Sequence, residues 1–318
     1  HGGCLFCFSG STYGGDAVLP KELVLSLIGE AAGMGLKQVL IIGGEPLLIP
    51  EWELYARHVL DRGMRAVICS AGDMYTEKVA RTIVNDLKIQ ERGYVTFHLE
   101  TLSQEVYNRL HLNPRGFEAR LRGLRTLLDA GFPPTRIYPQ MVLTRPAIET
   151  IEETIDWYVD EIGVGGVIMY PLRFKGFGRE HPEMVPPLSE LRRAYEHRAK
   201  RLGEEWLRIA VTDCSKFFCH TMIYVQSDGQ VLPCGFMPDF AVGNVFERGL
   251  AEIVEENRAL CVHDFEIHGP CTTCENNVVY DLCRGCRAHA DMFLGDYQAS
   301  DPLCWMNPEA KGFQFNDG

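Results

Sequence analysis

Gln38-Val39-Leu40-Ile41-Ile42-Gly43-Gly44-Glu45-Pro46 is the segment on which the architecture turns. Four consecutive aliphatic residues, Val39 to Ile42, predict an apolar strand in a parallel sheet covered on its outer face. Two glycines and a proline end it, giving a tight exit where backbone can approach a ligand. An amphipathic stretch at Leu19–Met34 precedes the strand, and helix-like Pro50–Asp61 follows it. The alternation continues outward. Arg65–Cys69 is a short apolar strand stopping at Ser70-Ala71-Gly72, Met74–Leu87 is helical and Tyr94–Leu99 is a strand. Ser103–Gly131 is mostly helix, broken near Pro114, and is followed by strand Arg136–Leu143, helix Ile148–Ile162 and strand Gly166–Tyr170. Apolar strands alternating with helices at a period of roughly 30 residues predict an α/β fold with a parallel sheet. Five such units make a partial or complete barrel, with chemistry at the C-terminal ends of the strands.

Beyond Tyr170 the pattern changes. Residues 174–179 and 182–187 read as loop, and Leu188–Leu202 as a charged helix with a solvated face. From Asp213 onward the chain is turn-rich and holds nine of the twelve cysteines. A hairpin is predicted from Met222–Gln226 and Gln230–Leu232 around Ser227-Asp228-Gly229. The expected division is a partial barrel over 1–186, a linker helix and strand over 187–212, and a small Cys-rich α+β domain over 213–318. Too little apolar periodicity remains in that last region to build a core, so bound metal is expected to supply cohesion.

Composition excludes several classes. At 318 residues, 46% hydrophobic and 23% charged, the chain is an ordinary globular protein long enough for one large or two modest cores. No apolar run approaches the ~18 residues of a membrane span, and no signal peptide opens the chain. A cytoplasmic protein without a membrane partner is expected. The net charge of -12 speaks against nucleic acid as a partner. Twelve cysteines in an intracellular chain of enzyme size point to metal or catalysis rather than disulfides.

The N-terminus reads His1-Gly2-Gly3-Cys4-Leu5-Phe6-Cys7-Phe8. Alone, Cys-x-x-Cys suits a redox pair, half a zinc site or part of an iron–sulfur site. Together with the Gly-Gly-Glu-Pro exit from the next strand, it resembles the radical S-adenosylmethionine superfamily, whose signature is Cys-x3-Cys-x-aromatic-Cys. Cys4, Phe6 and Cys7 match the last three marked positions; the first cysteine would fall one residue before His1, and the first barrel strand earlier still. The resemblance therefore implies a (β/α)6 partial barrel whose opening strand precedes the chain as given. It also implies that Cys4 and Cys7 hold a 4Fe–4S cluster with one iron open to the cosubstrate. Phe6, Gly43, Gly44, Glu45, Ser70 and Glu100 would then contact S-adenosylmethionine.

The C-terminal spacing runs Cys219, nine residues, Gly229, four residues, Cys234; then Cys271-x2-Cys274, Cys283-x2-Cys286 and, seventeen residues on, Cys304. This resembles the seven-cysteine SPASM extension of radical enzymes that mature peptides and sulfatases. Ser227-Asp228-Gly229-Gln230-Val231-Leu232-Pro233-Cys234 and Gly243-Asn244-Val245 add to the likeness. The middle departs: eight and then two intervening residues stand where the family favours five and then three. The resemblance implies one auxiliary cluster on Cys214, Cys219, Cys234 and Cys286, and a second on Cys271, Cys274, Cys283 and Cys304. A pair of four-cysteine zinc sites is the alternative that short Cys-x2-Cys pairs also support. Cys69 closes an apolar strand and reads as a small core residue. Cys261 lies outside the ligand pattern; since radical epimerases use a free thiol to return a hydrogen atom, it is the candidate donor.

The resemblance implies three 4Fe–4S clusters, reductive cleavage of S-adenosylmethionine to a 5′-deoxyadenosyl radical, and hydrogen abstraction from an unactivated C–H bond. The expected role is an oxidoreductase or maturase in natural product biosynthesis that oxidises, cross-links or epimerises a ribosomal peptide. A flavodoxin or ferredoxin would serve as reductant. The alternatives are a dehydrogenase or epimerase of a sugar or aminocyclitol, hence a small polar substrate, and a non-catalytic zinc or electron-transfer protein. Formylglycine formation is disfavoured, because sulfatase-maturating relatives carry an aspartate base directly after the cysteine matched by Cys234, and Gly235 stands here. Asp239, Asp264, His263 and His268 are other possible bases that no spacing singles out.

Overall fold

The opening aliphatic run becomes β1 (Gln38–Ile41), first in a sheet whose strands run β1-β2-β3-β4-β5 in chain order. The computed structural model describes residues 3–11, 17–209, 211–213, 216–237 and 239–310. α1 (Lys21–Gly33) precedes β1; α2 (Trp52–Asp61), β2 (Arg65–Cys69), α3 (Glu77–Arg81), α4 (Ile89–Arg92), β3 (Tyr94–His98), α5 (Gln104–Leu110), α6 (Gly116–Asp129) and β4 (Ile137–Leu143) follow. Then come α7 (Arg145–Ile148), α8 (Ile151–Asp156) and β5 (Ile168–Pro171). Neighbouring strands from β1 to β4 pair in parallel, for instance Leu40 with Val67 and Phe97 with Pro139. The sheet is a curled half-barrel, with five strands among the described residues where the resemblance implied six. β1, first in that order among the described residues, is only half-buried. The interior positions Val67, Ile68, Val95 and Phe97 on β2 and β3 carry the core instead.

The chain divides into two compact units, residues 1–141 with 149–168, and residues 142–148 with 169–318. In the first, side-chain caps set helix starts. Thr76 Oγ1 accepts from Val79 N–H at 3.3 Å, so the helix expected from Met74 begins at Glu77; Ser103 Oγ does the same for α5. Gly163, at φ +77°, ends the helical run before β5. α6 packs closely because Gly123 has no side chain: a Cβ there would stand 1.9 Å from the Gly72 carbonyl oxygen.

The second unit holds α9 (Leu188–Leu202), α10 (Lys216–Cys219), α11 (Leu250–Glu256), α12 (Arg258–Cys261), α13 (Glu275–Val278) and α14 (Arg287–Leu294). The predicted hairpin forms as β6 (Tyr224–Val225) and β7 (Gln230–Leu232), with Gly229 at φ +82° and Asp228 Oδ1 accepting from Gln230 N–H at 3.1 Å. A third strand, β8 (Gly243–Asn244), joins β7. The strand expected at the end of the linker is not seen among the described residues; Glu204–Leu207 is a 3-10 turn instead. Buried Arg198 there pairs with buried Asp213. No helix of the described residues is long and apolar enough to cross a membrane.

Candidate metal centres

Both units gather thiols, and no disulfide joins cysteines among the described residues. In the first unit the N-terminal cysteine loop is fixed by backbone pairing to the end of α5. Leu5 N–H donates to the Leu110 carbonyl and Leu112 N–H to the Gly3 carbonyl, both at 3.0 Å, which sets Cys4 opposite His111. Cys7 N–H donates to the Cys4 carbonyl in the tight turn that presents both thiols, and Cys7 Sγ lies 3.2 Å from Ser9 Oγ. Phe6 is buried edge-on against the His111 ring at 5.4 Å, and His111 in turn stacks on Tyr107.

Beneath Cys4 lies a buried charge cluster. Glu100, 1% exposed, has His111 Nε2 at 3.4 Å, Arg120 Nη1 at 3.7 Å and His98 Nδ1 at 3.7 Å. Burial works against its ionisation, yet these neighbours hold the carboxyl far below the usual range. Arg120 donates to the His98 carbonyl at 3.0 Å and approaches Cys4 Sγ at 3.8 Å. Burial pushes the Cys4 thiol up to about 11 in spite of Arg120. Neither Arg120 nor His111 was anticipated. The available signal was periodicity: Arg120 falls on the buried stripe Gly116, Phe117, Arg120, Gly123, Leu124, Leu127 of α6, where an apolar residue is the norm.

At the exit from β1, Gly43 faces open space, since a Cβ there would meet nothing within 4 Å. That leaves room for a ligand against the backbone. Glu45 turns to the protein instead, accepting from Leu47 N–H (3.2 Å), Ala71 N–H (2.9 Å) and Ser70 Oγ (3.1 Å). Burial pushes its carboxyl up to about 6 against those bonds. Ser70 is committed twice over, for it also accepts from Gly72 N–H at 3.0 Å. The structure thus joins Glu45 to Ser70, locking the ends of β1 and β2, and joins Cys4 to Glu100 through Arg120. Cys69 is buried, its thiol pushed up to about 12 by that burial, as suits a core residue.

In the second unit, Cys271, Cys274, Cys283 and Cys304 line one cavity with Asn276, Gly285 and Asp301. Gly285, at φ +75°, lies so close that a Cβ would stand 2.9 Å from Cys271 Sγ, and its N–H donates to Cys283 Sγ at 3.2 Å. Four thiols around a void, with a backbone N–H aimed at one of them, fit a 4Fe–4S cluster. Cys234 and Cys286 pack together with Met237, Phe236 and Ala288, whereas Cys219 lines a pocket with His220, His263 and Arg287. Cys214 lies outside the described residues. Arg173, 3% exposed, donates to Cys286 Sγ at 3.4 Å. Asp301 accepts from Cys286 N–H at 3.0 Å and lies 3.1 Å from His289 Nδ1, so thiol, imidazole and carboxylate form one buried group.

Cys261 is 1% exposed at the end of α12, its thiol pushed up by burial, the surroundings of a core residue. His263 is buried and held down at about 4, first by burial and then by His220, while His268 is exposed beside Asp296.

Residues 1–158 match the model of the radical SAM superfamily. Residues 214–287 match that of an iron–sulfur cluster-binding domain, SPASM. The chain is a radical SAM protein with a SPASM domain. It is 25% identical to an AdoMet-dependent heme synthase of Methanosarcina barkeri, over 97% of this chain and 94% of that one. It is 26% identical to a PqqA peptide cyclase of Streptomyces rochei, over 92% and 82%. Two solved structures share the fold. AnSMEcpe with bound AdoMet and a peptide has a TM-score of 0.71 at 17% identity, covering 97% of this chain and 91% of that one. Streptococcus suis SuiB bound to its precursor peptide has 0.69 at 16%, covering 96% and 72%. S-adenosylmethionine and 4Fe–4S clusters are the cofactors of this radical SAM protein.

Proposed function

We propose that this radical SAM protein oxidises or cross-links a ribosomally made peptide, with Cys4 and Cys7 on the cosubstrate-cleaving cluster and the C-terminal thiols on two auxiliary clusters. When bound, the cofactors supply one electron to S-adenosylmethionine and a carbon radical that removes hydrogen from the substrate. The protein's own groups shape the rest. Gly43 leaves room for the cosubstrate beside the backbone, and the Glu45–Ser70 pair fixes the strand ends that frame it. The observation that carries the reading is the cavity ringed by Cys271, Cys274, Cys283 and Cys304. Four protein thiolates leave no open position for substrate, which suits an electron acceptor for an oxidative outcome. The peptide as substrate is supported by the PqqA peptide cyclase relative. Formylglycine chemistry lacks its base: a side chain at Gly235 would collide with the Tyr224 ring at 2.6 Å. Cys261, buried as it is, favours oxidation over epimerisation.

The likeness to a heme synthase across nearly both full lengths supports a second reading, a haem-forming oxidation. One experiment separates them. The protein, reconstituted anaerobically and reduced with dithionite, flavodoxin or ferredoxin, is assayed for 5′-deoxyadenosine and for mass change in a peptide encoded beside its gene. Loss of a pair of hydrogen atoms from the peptide supports the first reading. Unchanged mass in ordinary water, with a gain of one deuterium when the reaction runs in deuterium oxide, indicates epimerisation. Turnover only with an iron porphyrin supports the second reading, and turnover only with an aminocyclitol or sugar overturns both. Zinc in place of iron, with no 5′-deoxyadenosine, would return the chain to a non-catalytic role.

A further inference from the structure

We infer that Arg120 is a positioning residue that raises the reduction potential of the cluster held by Cys4 and Cys7, and that Glu100 sets how much of its charge that cluster feels. This rests on the reading of those two cysteines as ligands. An arginine on the buried stripe of a helix has to be matched by partners, and Cys4 is among those of Arg120. Nη1 donates to the His98 carbonyl and lies 3.7 Å from Glu100; Nη2 reaches Cys4 Sγ at 3.8 Å; the guanidinium sits 5.4 Å from the centre of the Tyr107 ring. Tyr107 and His111 stack at 4.1 Å, and His111 is the residue bridged to Cys4 through the backbone. The fork is therefore held on one side by carboxylate and carbonyl and turned toward sulfur on the other.

Reducing an iron–sulfur cluster adds one electron and no proton to a group already negative. A fixed cation hydrogen-bonded to a ligand sulfur favours the reduced state, and its effect is large where water is excluded. Glu100 opposes it by drawing the guanidinium toward itself. Lysine would keep the charge but not the planar fork that spans carbonyl and sulfur together.

The test is an EPR-monitored redox titration of the reconstituted full-length protein. The relevant cluster is recognised as the one whose signal changes on adding S-adenosylmethionine. Arg120→Met is expected to make its reduction about tenfold less favourable, a fall of about 59 mV for one electron. Arg120→Lys is expected to lie nearer the wild type than Arg120→Met. Glu100→Gln, an isosteric change that keeps the packing, is expected to move the potential the other way, upward, and so decides the matter if Arg120→Met fails to fold. An unchanged potential in Arg120→Met with full iron content, or an unchanged or lowered one in Glu100→Gln, overturns the inference. Cys4→Ala separates the two layers. If it keeps the cosubstrate-sensitive signal, the ligand assignment falls. If it loses that signal while Arg120→Met titrates like the wild type, only the role of Arg120 falls.

Discussion

Replacing Arg198 with methionine should unfold the second unit more readily than any exposed substitution, and the structure says by how much. Arg198 is fully buried and paired with Asp213, itself fully buried at the side chain. The guanidinium also donates to the Trp206 carbonyl at 3.3 Å and lies 4.7 Å and 5.0 Å from the Trp206 and Tyr195 ring centres. Tyr195 closes the circle by donating to the Met169 carbonyl at 3.1 Å. Removing one partner strands the other's charge in a dry site, which costs about 3–5 kcal/mol. At 2–4 °C per kcal/mol for a unit of this size, the melting temperature should fall by roughly 6–20 °C. Burial already pushes the Asp213 carboxyl above its ordinary value against the pull of Arg198, so without Arg198 it rises further. A folded value raised above the unfolded one means that ionisation opposes folding. The deficit of Arg198→Met is therefore full at neutral pH and shrinks as pH falls toward 3.8. Asp213→Asn removes the charge while suiting the left-handed backbone at φ +50°, so the double variant should recover at least about 1 kcal/mol over the sum of the single changes. Urea melts followed by Trp206 fluorescence measure all three. Single variants within 1 kcal/mol of the wild type, or strict additivity, would refute the reasoning.

Cys304→Ser should cost one cluster's share of iron and sulfide on reconstitution while sparing the others, read by iron analysis; undiminished iron would remove Cys304 from the ligands. Chelation of the reconstituted protein should lower the cooperativity of unfolding in the Cys-rich region, read by hydrogen exchange of β6–β8 and α14. Gly123→Ala sets two effects against each other: alanine gains up to about 1 kcal/mol of helix propensity. The 1.9 Å approach to the Gly72 carbonyl should outweigh it, so a net loss of roughly 1–3 kcal/mol in thermal melts is expected. Cys261→Ala should leave 5′-deoxyadenosine and product formation intact at a stability cost of about 1 kcal/mol; product loss with radical formation preserved would make Cys261 a hydrogen donor after all.

The alternating strands and helices of the first unit were legible because each carries its own periodicity. Arg65–Cys69 as a strand and Leu188–Leu202 as a helix match residue for residue. What eluded the pattern depended on neighbours distant in sequence. β1 is as apolar as its neighbours yet only half-buried, because burial depends on what packs over a strand and no local signal encodes that. β8 is two residues long, Gly243 and Asn244, too short for any alternation to show. Cys271, Cys274, Cys283 and Cys304 could be grouped through a family resemblance. That Gly285 closes the cavity against Cys271 could not, because it needs φ +75° at one residue and a thiol fourteen positions away.

Two of the buried arginines, Arg120 and Arg173, follow one logic. Thiolate-held iron–sulfur clusters bring negative charge into places where water cannot screen it, and such charge has to be met by fixed cations or hydrogen-bond donors. In a chain with a net charge of -12, two of the guanidinium groups buried among the described residues are set beside sulfur: Arg120 on Cys4 in the first unit, Arg173 on Cys286 in the second. Each is restrained from another side, Arg120 by Glu100 and the His98 carbonyl, Arg173 by the Phe236 ring at 4.1 Å. Beside a cluster held by Cys4 or Cys286, arginine would stay protonated through the redox cycle, so that the cluster alone would change charge when an electron arrives. A histidine or lysine in the same place could release its proton as the cluster is oxidised, tying electron transfer to proton transfer. The two arginines therefore add no pH dependence of their own to a cluster held by Cys4 or Cys286; at Cys286 the buried His289–Asp301 pair is the group that would bring one.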